Sequence, residues 1–390
     1  MITITKLAGL LGLLSAAWLA AGSGPSGEGR EYPFKPGGAL VIKFNSGGSA
    51  RVTGGSRSGA TVRVSASGAA DASQAIKVQA ENGGLAITSG SKSGGDEWKN
   101  LQVFVELPES CEVQFNSMGG ALTLVGVAGS FSGKTMGGPF TLEKVRGRAH
   151  LETMGGDIEV TDSELDGEVS TMGGEVTLSN VVGGVEASSN GGNVRYQNVR
   201  DRDGRLRAQG SLGTPEMTGK TVLLSTLGGD IDVASAPEGA SLKTMGGHIE
   251  VGDASKFIDA TTMGGDIRLT MEDGWVRATT NGGDIDLTVR KGLGDGSKGI
   301  DLQSLSGNVT VTVPAGLSMN LDLTIAYTRN SDQNYKFVTD LGLKEELSKD
   351  WITDEGTPRK KIHATGSVGG GRYPVTISTI NGDITIKRVG

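Results

Sequence analysis

Residues 153–160 read Thr-Met-Gly-Gly-Asp-Ile-Glu-Val, and variants of this octapeptide recur along the chain. The first glycine of the phrase returns every 18 residues in two series separated by a gap: Gly119, Gly137, Gly155, Gly173 and Gly191, then Gly228, Gly246, Gly264 and Gly282. A constant period near this length indicates a repeat architecture, in which each copy is one unit that stacks on the next.

Each period carries apolar residues at alternate positions. In the copy around Gly155, Ile158 and Val160 alternate with charged residues, and Leu151 and Thr153 do the same before the glycines. A two-residue alternation is typical of a half-buried β-strand. Each 18-residue period therefore contains at least two short strands joined by a Gly-rich corner.

Strands this short cannot bury an apolar face alone, but they can if equivalent residues of successive copies lie over one another. The sequence therefore predicts an all-β fold, a single-stranded β-solenoid (β-helix) of 18-residue coils. An antiparallel meander of hairpins is the alternative. We expect the paired glycines to supply a positive φ at a tight corner and to leave no Cβ where corners stack.

The first 22 residues have the pattern of an export signal peptide. Lys6 provides the positive charge, residues 7–21 form an apolar run, and Ala20, Ala21 and Gly22 offer small residues for cleavage. The run is short for a membrane span, although an uncleaved anchor is the alternative. No cysteine follows Ala21, so a lipoprotein is not indicated there. Residues 23–31 are a Gly/Ser-containing linker.

The rest of the chain is expected to form one continuous domain. Residues 32–110 have strand patterns outside the 18-residue rhythm and predict irregular outer coils or a β cap near the N-terminus, and residues 111–313 form the regular solenoid. Residues 314–366 add a strand and an excursion around a short helix at about residues 340–349, and residues 367–390 return as a final coil. One degenerate coil fits the gap between the two series, with a basic outward loop at residues 200–207.

Composition and charge narrow the functional class. The net charge is −7, from 37 basic and 44 acidic residues that are interspersed, which argues against a nucleic-acid-binding face. Cys111 is the single cysteine, so no intrachain disulfide can form. Its strand-like surroundings predict a buried, small apolar side chain.

From Asp157 onward, the residue after each Gly-Gly pair of the repeat is polar, and these residues form a column. Stacked carboxylates about 4.8 Å apart repel one another unless a cation or a base relieves them. One hypothesis is a file of weak Ca²⁺ sites. The favoured alternative is that these side chains accept hydrogen bonds from nearby backbone N–H groups, because the sequence lacks the GGxGxD calcium pattern and we predict no metal site. The candidate cation column is Asp157, Glu175, Asp230, Asp266 and Asp284, with Asn193 and His248 between them.

The residue before each Gly-Gly pair is usually methionine. An exposed methionine stripe would be a soft, adaptable docking surface. The alternative, which we favour, is that each methionine folds over the glycines and seals the corner. The column comprises Met118, Met136, Met154, Met172, Asn190, Leu227, Met245, Met263 and Asn281.

A threonine column lies one residue earlier in each copy. Outward threonines on a flat face would suggest ice binding. The threonines share the parity of buried Val and Ala, however, so an inward hydroxyl ladder is the better interpretation. The column comprises Thr135, Thr153, Thr171, Thr226, Thr244, Thr262 and Thr280.

The search for catalytic groups finds no specific motif. His150, His248 and His363 do not cluster in sequence, and no nucleophile elbow, P-loop or His-rich metal site is present. Polysaccharide lyases and glycosidases on β-helices need paired carboxylates or basic residues in a cleft. Surface columns that include Glu159, Glu250, Arg268 and Asp286 could supply them, but any solenoid offers such columns. We therefore predict no enzyme, no catalytic residue and no cofactor.

Several stretches resemble the bacterial putative-adhesin family, a domain-of-unknown-function family of β-solenoids. They are the recurrent GGDI and NGDI phrases, PGGALVIKFNSGG at residues 36–48, LQVFVELP at residues 101–108 and GGGRYPVTISTINGDITI at residues 369–386. The resemblance covers residues 32–390 and implies an exported solenoid with no established catalytic residues. Because a fold does not determine function, the word adhesin carries little weight here.

The functional prediction is an exported, non-catalytic, adhesin-like or structural binding module of the bacterial cell envelope, in the periplasm or at the cell surface. Its expected partner is a protein, a glycan or an envelope surface, and not a nucleic acid. After signal cleavage no stable membrane span is expected, and oligomers could form through the solenoid ends. The alternatives are a carbohydrate-active enzyme on a β-helix scaffold and an end-to-end polymerising scaffold.

Overall fold

The computed structural model describes residues 29–45, 47–67, 72–89, 99–197, 199, 222–331, 334–353 and 357–390. The expected signal peptide, most of the linker and the basic loop at residues 200–207 lie outside these residues. The expected degenerate coil between the two series is wrong, because Ser189 pairs directly with Thr226 and Val194 with Ile231, so the coil at Gly191 stacks on the coil at Gly228. Over the described residues the chain forms 30 strands and one short 3-10 turn, Ala72–Ala75.

The strands follow one another with few long connections. The first nine are β1 (Arg30–Tyr32), β2 (Ala39–Phe44), β3 (Gly48–Gly55), β4 (Ala60–Ser67), β5 (Ile76–Glu81), β6 (Gly84–Ser89), β7 (Lys99–Pro108), β8 (Glu112–Ser117) and β9 (Leu122–Val125). The regular region holds β10 (Ala128–Thr135), β11 (Phe140–Glu143), β12 (Arg146–Thr153), β13 (Ile158–Thr171), β14 (Val176–Val182), β15 (Val185–Ser189), β16 (Val194–Gln197), β17 (Val222–Thr226), β18 (Ile231–Val233), β19 (Ala240–Lys243), β20 (Ile249–Thr262), β21 (Ile267–Thr280) and β22 (Ile285–Gly292). The last are β23 (Ile300–Ser304), β24 (Val309–Pro314), β25 (Met319–Thr328), β26 (Phe337–Val338), β27 (Lys344–Leu347), β28 (Arg359–Val368), β29 (Tyr373–Ile380) and β30 (Ile384–Val389).

Successive coils pair in parallel and in register. Phe140 on β11 lies between Leu122 on β9 and Ile158 on β13, and Ile249 pairs with Ile267 further along. All five side chains are buried. This stacking of equivalent residues confirms the β-solenoid, and the hairpin meander is wrong for these coils.

The two corners of a coil are built differently. One corner is the Gly-Gly pair, and the other follows the strand that comes after it. Left-handed backbone occurs at this second corner, where Gly126, Lys144, Asp162 and Asn180 have φ between 50° and 64°. The Gly-Gly corner has no left-handed φ among its described glycines, so the expectation of a positive φ there is wrong. Glycine is required at that corner because two successive coils approach each other closely there.

That close approach involves only the second glycine of the pair. A Cβ on Gly156 would lie 2.1 Å from the carbonyl oxygen of Gly138 in the preceding coil. A Cβ on Gly155 would meet nothing nearer than the Met136 carbonyl oxygen at 3.6 Å. Glycine is therefore required at the second position for the coils to stack at β-sheet spacing, whereas the first position has room for a Cβ.

The threonine column points inward and links the coils. Thr153 is 4 % exposed; its Oγ1 donates to the Gly138 carbonyl at 3.1 Å and accepts from the Gly156 N–H at 3.1 Å. Each hydroxyl thus satisfies buried backbone groups of two coils at once. The inward ladder is confirmed, and the ice-binding alternative is wrong. The same pair of bonds occurs at Thr135, Thr171, Ser189, Thr226, Thr244, Thr262 and Thr280.

Both ends of the stack depart from chain order. At the N-terminal end β6 and β7 pair with the outer sides of β2 and β3, and antiparallel strands β5, β4 and β1 follow outward. At the other end β29 lies between β23 and β25, and β30 lies between β24 and β26. The last coil in sequence is therefore not the last coil in the stack.

The expected helix at residues 340–349 is wrong. This segment contains β27, which pairs antiparallel with β28 as the outermost strand of the C-terminal cap. Its Lys-Glu-Glu-Leu sequence has no helical apolar face, and all four residues are exposed. Charged side chains on an edge strand hinder further strand addition. Over the part of the chain that is described, no helix is long and apolar enough to cross a membrane.

Candidate binding surface

The methionine column is exposed. We call Met118, Met136, Met154, Met172, Leu227, Met245 and Met263 the methionine ridge; each is between 47 % and 55 % exposed. The expectation that methionine seals the corner is wrong. The inward threonine hydroxyl already satisfies the corner, and the next residue in an alternating pattern faces outward.

The ridge stands on a regular backbone. The N–H of Met154 donates to the Thr135 carbonyl at 3.2 Å, and the N–H of Met172 donates to the Thr153 carbonyl at 3.1 Å. These bonds hold neighbouring ridge residues at the spacing of paired strands, about 4.8 Å. Asn190 and Leu227 separate the methionines of the ridge into a run of four, from Met118 to Met172, and a run of two, Met245 and Met263.

A groove of about 750 Å³ follows the run of four. One wall is the ridge, and Phe44 lies at one end. On its polar side, Lys134 Nζ lies 2.7 Å from Glu152 Oε2, and the hydrogen bond from Lys134 lowers the pKa of Glu152. The groove thus combines flexible thioethers with a neutralised ion pair. Its polar wall is a column of Asn116, Lys134, Glu152, Ser170 and Ser188.

The acidic column lies on the opposite side of the corner from this polar wall. Asp157 Oδ1 accepts the backbone N–H of Glu175 at 2.8 Å, and Asp266 Oδ1 accepts that of Asp284 at 3.0 Å. Asp230 makes the same bond to the N–H of His248 at 2.8 Å. This is the turn chemistry of the favoured interpretation. No group of three or more His, Cys, Asp or Glu side chains suited to a metal occurs among the described residues.

Three of the four surface residues considered as groups of a carbohydrate-active enzyme are neighbours in the structure. Glu250, Arg268 and Asp286 occupy successive coils after the Gly-Gly corner, whereas Glu159 lies several coils away. Asp232 precedes Glu250 in the same column, and its pKa is raised by partial burial and by the Glu250 charge. Arg268 lies between Glu250 and Asp286, and charges of both signs on an exposed sheet face are an ordinary solvated pattern.

The histidines and the cysteine are dispersed. His150 lies 3.0 Å from Glu152, His363 lies 2.9 Å from Asp322, and His248 accepts the Asp266 N–H. Cys111 is 1 % exposed, and burial raises the pKa of its thiol to about 12. The thiol is therefore neutral, as expected for the buried apolar residue that the sequence predicts.

An aromatic stack was missed by sequence reasoning. Phe257 and Trp275 pair in successive coils with ring centroids 5.2 Å apart, and Lys298 Nζ lies 4.2 Å from the Trp275 ring centre. A Cβ on Gly239 would fall 2.3 Å from the Phe257 ring, so the ring covers that glycine. The 18-residue separation of Phe257 and Trp275 was the available signal. The stack fills both faces of the indole and acts as packing.

Comparison with known proteins identifies the architecture. The sequence model of the family described as Toastrack DUF4097 matches residues 41–339. No curated protein matches the chain.

Among solved structures, the chain is similar to a protein of Bacteroides fragilis NCTC 9343 described as a putative adhesin, with 15 % identity over 70 % of this chain and 96 % of that one and a TM-score of 0.30. A Parabacteroides distasonis ATCC 8503 protein described as a putative lipid binding protein has 15 % identity over 70 % and 96 %, with a TM-score of 0.32. A Clostridium sporogenes ATCC 15579 protein described as a putative cell adhesion protein has 11 % identity over 93 % and 100 %, with a TM-score of 0.17. Likenesses this distant carry no argument about function.

Proposed function

Because the chain belongs to the Toastrack DUF4097 family, we propose that it is a non-catalytic binding module of the bacterial cell envelope, whose methionine ridge docks a basic amphipathic polypeptide segment. Membership confirms the resemblance drawn from the GGDI and NGDI phrases. Family membership agrees with a binding or structural role but identifies no ligand, so the proposed partner rests on the chemistry of the surface. The observation that carries the proposal is the exposed, regularly spaced ridge.

The ridge has the chemistry of an adaptable apolar contact. Methionine is flexible and polarisable, so it can fit several apolar surfaces. Contiguous exposed apolar side chains on a soluble protein mark interaction sites more often than chance. From Met118 to Met263 the ridge crosses eight described coils, a length of about 34 Å at the spacing of paired strands. A helix of about 20 residues has a similar length.

Charge complementarity selects the kind of partner. The acidic column, Asp157, Glu175, Asp230, Asp266 and Asp284, stands three residues after the methionine-column position in five of the corners, whereas Ala121, Pro139, Asn193 and His248 occupy that position in the others. The whole chain carries a net charge of −7. An apolar stripe beside an acidic lane complements a helix with one apolar and one basic face.

Replacing Met136 and Met154 with Gln is expected to weaken binding of a synthetic 20-residue Leu/Lys amphipathic helix about tenfold. Burying the exposed halves of two methionines contributes about 1.5 kcal/mol. Titration by fluorescence anisotropy measures the change. The matched control, Met136→Leu with Met154→Leu, keeps the apolar surface and should bind like the parent chain. Equal binding by the Gln and Leu pairs would show that the ridge is not the docking surface.

The same titration tests the charge of the partner. Asp157→Asn with Asp266→Asn removes two charges but keeps a side-chain oxygen for the corner hydrogen bond. Weaker binding at low salt, with a smaller difference at high salt, is the expected result because exposed charges are screened. A Leu/Glu helix that bound as well as the Leu/Lys helix would contradict a basic partner.

Export is part of the proposal and rests on the pattern of residues 1–22. Signal cleavage predicts that the chain isolated from a cell-envelope or culture fraction of a bacterial host lacks about the first 22 residues. Intact-mass measurement checks this, with the cytoplasmic fraction as control. A full-length mass in the envelope fraction would favour the uncleaved anchor.

The polymerising alternative is not favoured by the ends of the stack. Antiparallel strands cover both ends, and the outermost C-terminal strand β27 is charged and exposed. Such an edge hinders the strand pairing that end-to-end growth needs.

A further inference from the structure

We propose that the methionine ridge also binds a soft monovalent cation of the Cu(I) or Ag(I) class, through thioether sulfurs of neighbouring coils. The site is the run Met118, Met136, Met154 and Met172, and the shorter run Met245 and Met263 is a second, weaker site. This inference concerns a different ligand and does not depend on the docking of a polypeptide.

The ligand type determines the class of metal. A thioether is a neutral, soft donor, and such donors select Cu(I) over Ca²⁺, Mg²⁺ or Mn²⁺, which prefer oxygen. Because a thioether carries no proton to lose, binding needs no change in ionisation of the ridge. This site is separate from the acidic column, whose oxygens would suit Ca²⁺.

The spacing of the ridge matches a bridging ion. Metal–sulfur bonds are about 2.3 Å long in zinc–thiolate sites, so an ion between two sulfurs at that bond length spans at most about 4.6 Å. Successive ridge residues stand about 4.8 Å apart on paired backbone. The backbone hydrogen bonds at Met154 and Met172 hold this distance, and three rotatable bonds in each side chain let the sulfurs converge.

Access and competition also favour the ridge. Each of the four methionines is about half exposed, so an ion can reach the sulfur from solvent. The one thiol, Cys111, is 1 % exposed and lies in the core. Met271 and Met319 are 0 % and 1 % exposed and serve as internal controls within the same chain.

The test is competition of the full chain with a colorimetric Cu(I) chelator under anaerobic, reducing conditions, with Ag(I) as a redox-inert second probe. The expected result for the variant with Met118→Leu, Met136→Leu, Met154→Leu and Met172→Leu is Cu(I) binding weakened by at least about tenfold. Changing a residue that only orients the ligands of a metal already costs about tenfold or more in affinity, and this variant removes the ligands themselves. Methionine and leucine have similar volumes, so the fold and the apolar docking surface are retained. Unchanged Cu(I) binding in this variant would overturn the proposal.

Two further measurements test the site without relying on weaker Cu(I) binding in a variant. In chains labelled at the methionine methyl carbon, Ag(I) should shift the ridge methyl resonances and leave those of Met271 and Met319 in place. Leu227→Met lengthens the run of two to three thioethers and should tighten Cu(I) binding of the four-Leu variant severalfold. No gain from Leu227→Met, or equal shifts at ridge and buried methyls, would contradict a ridge site.

Discussion

Gly156→Ala is expected to lower the stability of the solenoid by about 3 kcal/mol or more, whereas Gly155→Ala changes it by at most about 0.5 kcal/mol. The added Cβ at residue 156 would lie 2.1 Å from the Gly138 carbonyl oxygen and 2.4 Å from its carbon. Backbone atoms of a packed coil cannot move aside as a flexible side chain can, so the two coils must separate.

The two glycines are neighbours with opposite expected outcomes, which makes them a matched pair. Thermal unfolding followed by circular dichroism compares both variants with the parent chain. Alanine at residue 155 also reduces the conformational freedom of the unfolded chain, so its midpoint can rise slightly. Equal midpoints for the two variants would mean that close approach does not determine the use of glycine at this corner.

Thr153→Val is expected to lower the free energy of unfolding by about 3 kcal/mol. The substitution keeps the side-chain shape but removes the partner of the Gly138 carbonyl and of the Gly156 N–H. Leaving a buried polar group without a partner costs about 1–3 kcal/mol for each group. One substitution affects two coils, because the hydroxyl lies between them.

Thr153→Ser is the control for this prediction. Ser189 occupies the same column and makes the same two bonds, at 2.7 Å and 2.9 Å. Serine should therefore retain most of the stability and lose about 1 kcal/mol with the missing methyl group. Chemical denaturation measures the difference. If valine and serine destabilise equally, burial of the methyl and not the hydroxyl ladder supports the corner.

The sequence predicted the repeat and the inward-facing residues. A constant 18-residue period places equivalent residues on one column, and alternation assigns Ile158, Val160 and Thr153 to the inside. Both inferences depend only on local periodicity and on the need of short strands to bury an apolar face. The family resemblance followed from the same phrases.

The candidate surface was predicted less well. The column of Met118 to Met263 was visible in the sequence, but its exposure was not. An outward residue at a corner can fold over the backbone or extend into solvent. The choice depends on whether the corner is already satisfied, and only the contacts of the Thr153 hydroxyl with two coils show that it is.

By itself, the sequence determined that this chain is a stack of 18-residue β coils, because the period and the alternation are properties of neighbouring residues. Tertiary structure alone decided the insertion of β29 and β30 inside the stack, the strand β27 in place of a helix, and the close approach of Gly156 to Gly138. These features depend on which backbone edges remain unpaired once the coils have stacked. That depends on contacts between residues far apart in the chain, which no local pattern records.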